Sequence, residues 1–154
     1  MKTCVVIGAG CAGLTAAWLT RGHSVEGSGE NDLSPAQLPV QPAATADIDP
    51  DAGPVLVTVE YRIDPARADE FRAVMRETRR ARLAQGALSW ELFQDVNDPG
   101  RFTEVLIDES WVEQLRRFNR FTAADLALRE RRLQFHLGPQ PPVVTRGIAQ
   151  RVGR

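Results

Sequence analysis

The chain has 154 residues, of which 43% are hydrophobic and 25% charged, and a formal net charge of −1. That is the composition of a soluble globular chain with room for one ordinary domain, too short for a complete dinucleotide-binding domain joined to a catalytic one. The near-neutral charge gives no general pull toward nucleic acid, and the longest weakly polar run, Cys4 to Leu19, is too short and too glycine-rich to span a bilayer.

The average conceals a division. Residues 1–54 hold two basic and six acidic residues and a single aromatic, Trp18, whereas residues 55–154 hold 17 basic and 14 acidic residues and the other nine aromatics. The core-building side chains therefore lie after Pro54. Cys4 and Cys11 flank a glycine-rich turn with no second pair in metal-ligand spacing, so they read as small apolar fillers in a reducing compartment, with no metal expected. Lys2 before an apolar stretch raises the question of a secretory signal. Gly8, Gly10 and Gly13 break that stretch and no clean cleavage site follows, so a cytoplasmic location is expected.

Cys4-Val-Val-Ile7 reads as a short buried strand, followed by Gly8-Ala-Gly10-Cys-Ala-Gly13 and a helix-like run to Leu19. Gly8 suits the tight turn, Gly10 the approach of a pyrophosphate and Gly13 the close packing of helix on strand, while Glu30 stands near the place of a ribose-binding acid. Residues 1–26 thus resemble the opening of an FAD- or NAD(P)-binding Rossmann domain. The helix is only two turns, the second strand dissolves into Glu26-Gly-Ser-Gly-Glu30, and no third strand follows. The fragment reads as vestigial. No cofactor is expected, and FAD or NAD(P) would bind only were the fragment functional. Residues 27–54 carry five prolines, three glycines and no aromatic, which predicts an extended or disordered linker.

From Val55 the pattern changes. Val55, Val57, Val59, Tyr61 and Ile63 alternate with Leu56, Thr58, Glu60 and Arg62, as in a strand with one face on a core. Asp64-Pro65 starts a helix whose apolar stripe is Phe71, Val74, Met75, Thr78 and Ala81, and Gly86 stops it. A second strand runs from Ala87 to Val96, Asn97-Asp-Pro-Gly100 turns the chain, and Phe102 to Asp108 completes a hairpin. Ser110-Trp-Val-Glu113 has the form of a capping box, and Thr122-Ala-Ala-Asp125 marks a fresh helix start. Gly138-Pro-Gln-Pro-Pro142 ends all helix before a final strand, Val143 to Ile148. The order over 55–150 is β-α-β-β-α-β, the ferredoxin-like α+β pattern. Its two helices cover one sheet face, and the other, with Leu56, Phe93 and Trp90 among its candidates, needs a second sheet over it.

Tyr61-Arg-Ile-Asp-Pro65, the Gly86-to-Phe93 strand, Asp98-Pro-Gly-Arg-Phe102, Glu109-Ser-Trp111 and Phe135-His136 carry a resemblance. The domain is similar to the dimeric α+β-barrel superfamily that includes antibiotic-biosynthesis monooxygenases, and most of all to the soluble C-terminal domain of bacterial major-facilitator exporters of the transmembrane-secretion-effector group. The resemblance implies a homodimer whose two sheets form a barrel, serving as a non-catalytic dimerisation, regulatory or ligand-sensing module. Its expected partners are a second copy, a small hydrophobic ligand or a membrane exporter. With the exporter's own membrane helices absent from this sequence, transport by the chain itself is not expected. A histidine common in the second helix of the family aligns with Phe118, which weakens any haem-ligand or acid–base role there.

The alternative is a cofactor-independent monooxygenase acting on an aromatic or polyketide-like molecule. Its barrel-facing candidates are Glu60, Arg62, Trp90, Glu91 and His136: acid, clamp, planar wall, base and a histidine near a helix C-terminus. The plain readings beside these are cross-strand ion pairs, a core tryptophan and a capping histidine. The arginine groups 79–80–82, 116–117 and 129–131–132 alternate with glutamates and read as solvated helix faces, not a nucleic-acid surface.

Overall fold

The structure, a computed structural model, describes residues 32–36 and 47–152. The dinucleotide fingerprint over residues 1–26, and Glu30 with it, lies outside the described residues. The elements are β1 (Val55–Arg62), a 3-10 turn (Pro65–Arg67), α1 (Ala68–Ala84), β2 (Ser89–Gln94), β3 (Arg101–Asp108), α2 (Trp111–Phe118), α3 (Ala123–Leu133) and β4 (Val143–Ile148). The strands form one sheet in the order β2-β3-β1-β4, each neighbouring pair antiparallel. This is the ferredoxin-like α+β arrangement expected from the sequence.

Alternation sets the two faces. Val55, Val57, Val59 and Tyr61 of β1 stand opposite Asp108, Leu106, Glu104 and Phe102 of β3, and all eight are buried under the helices. Four aromatic rings anchor that side. Phe71 of α1 lies 5.3 Å from Tyr61, 5.3 Å from Phe102 and 5.7 Å from Phe135, ring centre to ring centre. Such edge contacts add to the burial of the rings themselves.

The local signals act as their chemistry requires. Asp64 accepts the Ala66 N–H at 2.9 Å, but the turn it caps is 3-10, and α1 proper begins at Ala68. Gly86 takes a φ of +104°, a left-handed conformation costly to other residues, and ends α1 there. Thr122 and Asp125 complete a reciprocal capping box. The Ser110 box is only half made: Ser110 accepts the Glu113 N–H at 3.4 Å, whereas the Glu113 carboxylate turns away to Arg116 at 2.6 Å and Arg120 at 3.2 Å.

Two pieces of the proline-rich stretch are held against the domain. The Trp111 and Val112 N–H groups, at the start of α2, donate to the carbonyls of Ala52 and Pro50. The Ala123 and Ala124 N–H groups, at the start of α3, donate to Ser34 and Asp32, and Pro35 forms a bridge with Thr122. The stretch thus supplies acceptors for helix N–H groups that have no partner within their own helix.

The opposite sheet face carries no element over it among the described residues. Leu56 is 42% exposed, Phe93 57% and Val143 62%. Trp90 does not belong to that face: paired opposite Leu106, it is buried under the helices.

Candidate functional site

The helix-covered interior holds five charged side chains, and this is where the chemistry of the domain concentrates. Glu104, on the buried face of β3, is wholly inaccessible. Its carboxylate accepts from Trp90 Nε1 at 2.9 Å, from the Tyr61 hydroxyl at 3.1 Å and from Arg82 Nε at 3.4 Å. Each partner arrives on a different element: Tyr61 on β1, Arg82 in the last turn of α1, Trp90 on β2. Arg132 of α3 is also buried, and its charge acts on both Tyr61 and Glu104.

Burial alone would drive the Glu104 carboxyl upward, but Arg82 and Arg132, with the bonds from Trp90 and Tyr61, outweigh it and hold the group below its ordinary value. Burial and then the field of Glu104 push the Tyr61 phenol well up. Burial, followed by the like charge of Arg132, brings Arg82 down to about 10. The cluster is therefore an ionised carboxylate shared between two arginines, with a tyrosine that stays protonated and a tryptophan that only donates. It offers no base poised near neutrality.

A second buried pair lies nearby. Arg117 of α2 donates to Asp108 at 2.6 Å, and both residues are almost wholly buried. Burial raises the Asp108 carboxyl against the pull of Arg117. Beside them Gln114 is fully buried, and neither its Nε2 nor its Oε1 has a partner among the described residues; the same holds for Arg117 Nε. At the seam of α1 and α3 a crevice of about 10 Å³ is lined by Arg82, Gln85, Phe121, Asp125 and Arg132, room for no more than one water.

The residues expected from sequence are dispersed by comparison. Glu60 and Arg62 do stand on the open sheet face, as part of an ion-pair chain: Arg101 to Glu60 at 2.6 Å, Arg62 to Glu60 at 3.5 Å and Arg62 to Asp98 at 3.0 Å. Glu91 is exposed on the same face, opposite Val105. His136 is not on that face. Its Nδ1 accepts the Arg62 N–H at 3.1 Å, and its Nε2 lies 3.1 Å from the Gln140 carbonyl, a combination that only the neutral ring with its proton on Nε2 satisfies. Both nitrogens are thus committed to backbone groups. Trp90 is the one expected residue that reaches the buried cluster, from the side opposite to the one expected.

Three arginines read as solvated are instead interior. Arg82, Arg117 and Arg132 come one from each of the three arginine groups, and each is less than a tenth exposed. Spacing carried the signal: Arg82 lies seven residues after Met75 and four after Thr78, on the buried stripe of α1. Glu104 and Asp108 likewise keep the parity of Phe102 and Leu106. Phe118 stacks on Phe121 at 6.1 Å and lies under the Arg146 guanidinium at 6.0 Å. Among the described residues no group of three or more His, Cys, Asp or Glu is placed to hold a metal ion, and no helix is long and apolar enough to cross a membrane.

A model of the transmembrane secretion effector family matches residues 2–153, a wider span than the domain that carries the resemblance. No curated protein matches the chain. Among solved structures, a Caulobacter crescentus protein described as an antibiotic biosynthesis monooxygenase matches with a TM-score of 0.56 at 19% identity, over 66% of this chain and 93% of that one. A Bordetella bronchiseptica protein of the same description matches with a TM-score of 0.52 at 22% identity, over 65% of this chain and 98% of that one. A Mycobacterium tuberculosis protein matches with a TM-score of 0.52 at 17% identity, over 66% and 100%. At these identities the likeness concerns the fold.

Proposed function

The chain belongs to the transmembrane secretion effector family, and from that premise we propose that its folded domain is a non-catalytic, homodimeric regulatory or ligand-sensing module associated with a membrane exporter. The observation that carries this reading is the state of the interior. The polar groups around Glu104 are bonded to one another, and the crevice beside them takes one water at most. An oxygenase working on an aromatic or polyketide-like molecule needs an enclosed pocket and a group free to move a proton. Here the histidine is tied by both nitrogens. The dimer rests on the open face, where Leu56, Phe93 and Val143 are large apolar side chains left exposed, of the kind that a second sheet covers.

The test is light scattering at micromolar concentration, together with oxygen uptake in the presence of hydroxylated polyaromatic compounds. A dimer mass and no uptake above background are expected. A monomer would overturn the dimer, and uptake above background by the parent protein would overturn the non-catalytic reading.

A further inference from the structure

The charges on the outside of the helices are unevenly matched. On α1 the three carboxylates are all engaged: Asp69 with Arg72 at 2.6 Å, Glu70 with Arg67 at 3.0 Å and Glu77 with Arg131 of α3 at 2.7 Å. Outer arginines of α2, the turn after it and α3 are answered too, Arg116 and Arg120 by Glu113 and Arg129 by Glu130. Arg76, Arg79 and Arg80 of α1 differ. All three are exposed, and none has a carboxylate within ion-pair distance among the described residues.

Their spacing brings them together. Steps of three and four residues join Arg72 to Arg76, Arg76 to Arg79 and Arg80, and both of these to Leu83, so they share one side of α1. Arg72 reaches Gln94 at 2.9 Å, which marks that side as the flank running beside β2. Like charges at this spacing destabilise a helix, and the core takes nothing from them: the buried stripe of α1 is Ala68, Phe71, Val74, Met75, Thr78 and Arg82. The flank also lies on the helix side of the sheet, away from the open face that carries Leu56 and Phe93.

We propose that this flank of α1 docks on the phosphate headgroups of an anionic bilayer, beside the exporter with which the domain is associated. Three guanidinium groups left unanswered by the fold suit a surface of closely spaced phosphates. Leu88, 60% exposed and two residues past Gly86, follows the arginines with an apolar side chain of the kind that enters the headgroup layer. Nucleic acid presents phosphates as well, but α1 offers no ring on which a base can stack, its one aromatic, Phe71, being buried. Three charges hold a protein only weakly on a surface, which suits a domain that an exporter already keeps near the bilayer. The exporter-associated reading enters only through that nearness. Docking that fails on pure lipid leaves the dimer and the non-catalytic reading standing, and a monomer or oxygen uptake leaves the docking standing.

The probes are vesicles of phosphatidylglycerol, vesicles of phosphatidylcholine and a single-stranded oligonucleotide, each mixed with the full chain at low salt. Cosedimentation reads the vesicles and fluorescence anisotropy the oligonucleotide. The chain should sediment with phosphatidylglycerol and not with phosphatidylcholine, and about 0.5 M sodium chloride should release it. Each of Arg76→Gln, Arg79→Gln and Arg80→Gln should lower the partition coefficient about fivefold, and the triple variant should stay in the supernatant. Arg116→Gln removes the same charge from α2 and should leave binding unchanged, an outcome that net charge alone does not give. These positions are exposed, so every variant should melt with the parent. No binding to phosphatidylglycerol, equal binding to both lipids, binding that survives in the triple variant, an equal loss in Arg116→Gln, or an oligonucleotide held more tightly than the anionic vesicles would overturn the proposal.

Discussion

Glu104 decides whether the interior of this domain is stable, because it is the fully buried carboxylate whose charge answers both Arg82 and Arg132. Glu104→Gln keeps the shape and removes the charge, leaving two buried guanidinium groups to repel. The expected cost is about 3–5 kcal/mol, the usual penalty for breaking a buried pair from one side, measured by urea unfolding. A pH dependence follows with a definite sign. The folded carboxyl lies below its ordinary value, so the unfolded chain takes up the proton first as the medium is acidified. The stabilisation is complete above the unfolded value, near 4.3, and is lost as pH falls through the lower folded value. Urea midpoints between pH 6 and 3 should therefore decline in the parent, with a shallower decline in Glu104→Gln. Part of this residue-scale picture was open to a reader of the sequence. Glu104 and Asp108 share the parity of Phe102 and Leu106, and Arg82 the stripe of Met75 and Thr78. The general expectation that charges face water concealed them, because spacing alone does not show that three elements deliver arginines to the same interior.

At the scale of elements, α2 and α3 begin where hydroxyl caps stand, Ser110 and Thr122. Thr122 and Asp125 satisfy each other's backbone donors at the start of α3, and the same turn receives Asp32 and Ser34 from the preceding stretch. Thr122→Ala should cost about 1 kcal/mol. The double variant with Asp125→Ala should cost less than the sum of the two single changes, because the two side chains form one box; urea midpoints of the three variants check both statements. This much was legible in Thr122-Ala-Ala-Asp125. The failure of the analogous Ser110 box was not, since it depends on Arg116 and Arg120 competing for the Glu113 carboxylate. The docking of residues 32–36 and 50–52 was equally invisible in composition. Proline and glycine content predicts how little a segment can bury, and says nothing about carbonyls that meet the free N–H groups of a helix start.

On the scale of the whole molecule, alternation in β1 and β3 announces a sheet with two unlike faces, and the structure bears this out. The face away from the helices carries Leu56, Phe93 and Val143 beside the chain of Arg101, Glu60, Arg62 and Asp98. Exposed ion pairs of this kind contribute little alone. If two sheets pair through this face, folding and association are one equilibrium. The melting temperature of the parent protein should then rise with protein concentration, since a partner that binds only the folded state stabilises it by mass action. Phe93→Glu places a charge on the open face, at its β2 edge, without touching the helix-covered core. It should give a monomer in sedimentation equilibrium, and a melting temperature independent of concentration. A parent protein whose melting temperature is flat across a hundredfold dilution above the dissociation range would mean that the open face is covered by something other than a second copy.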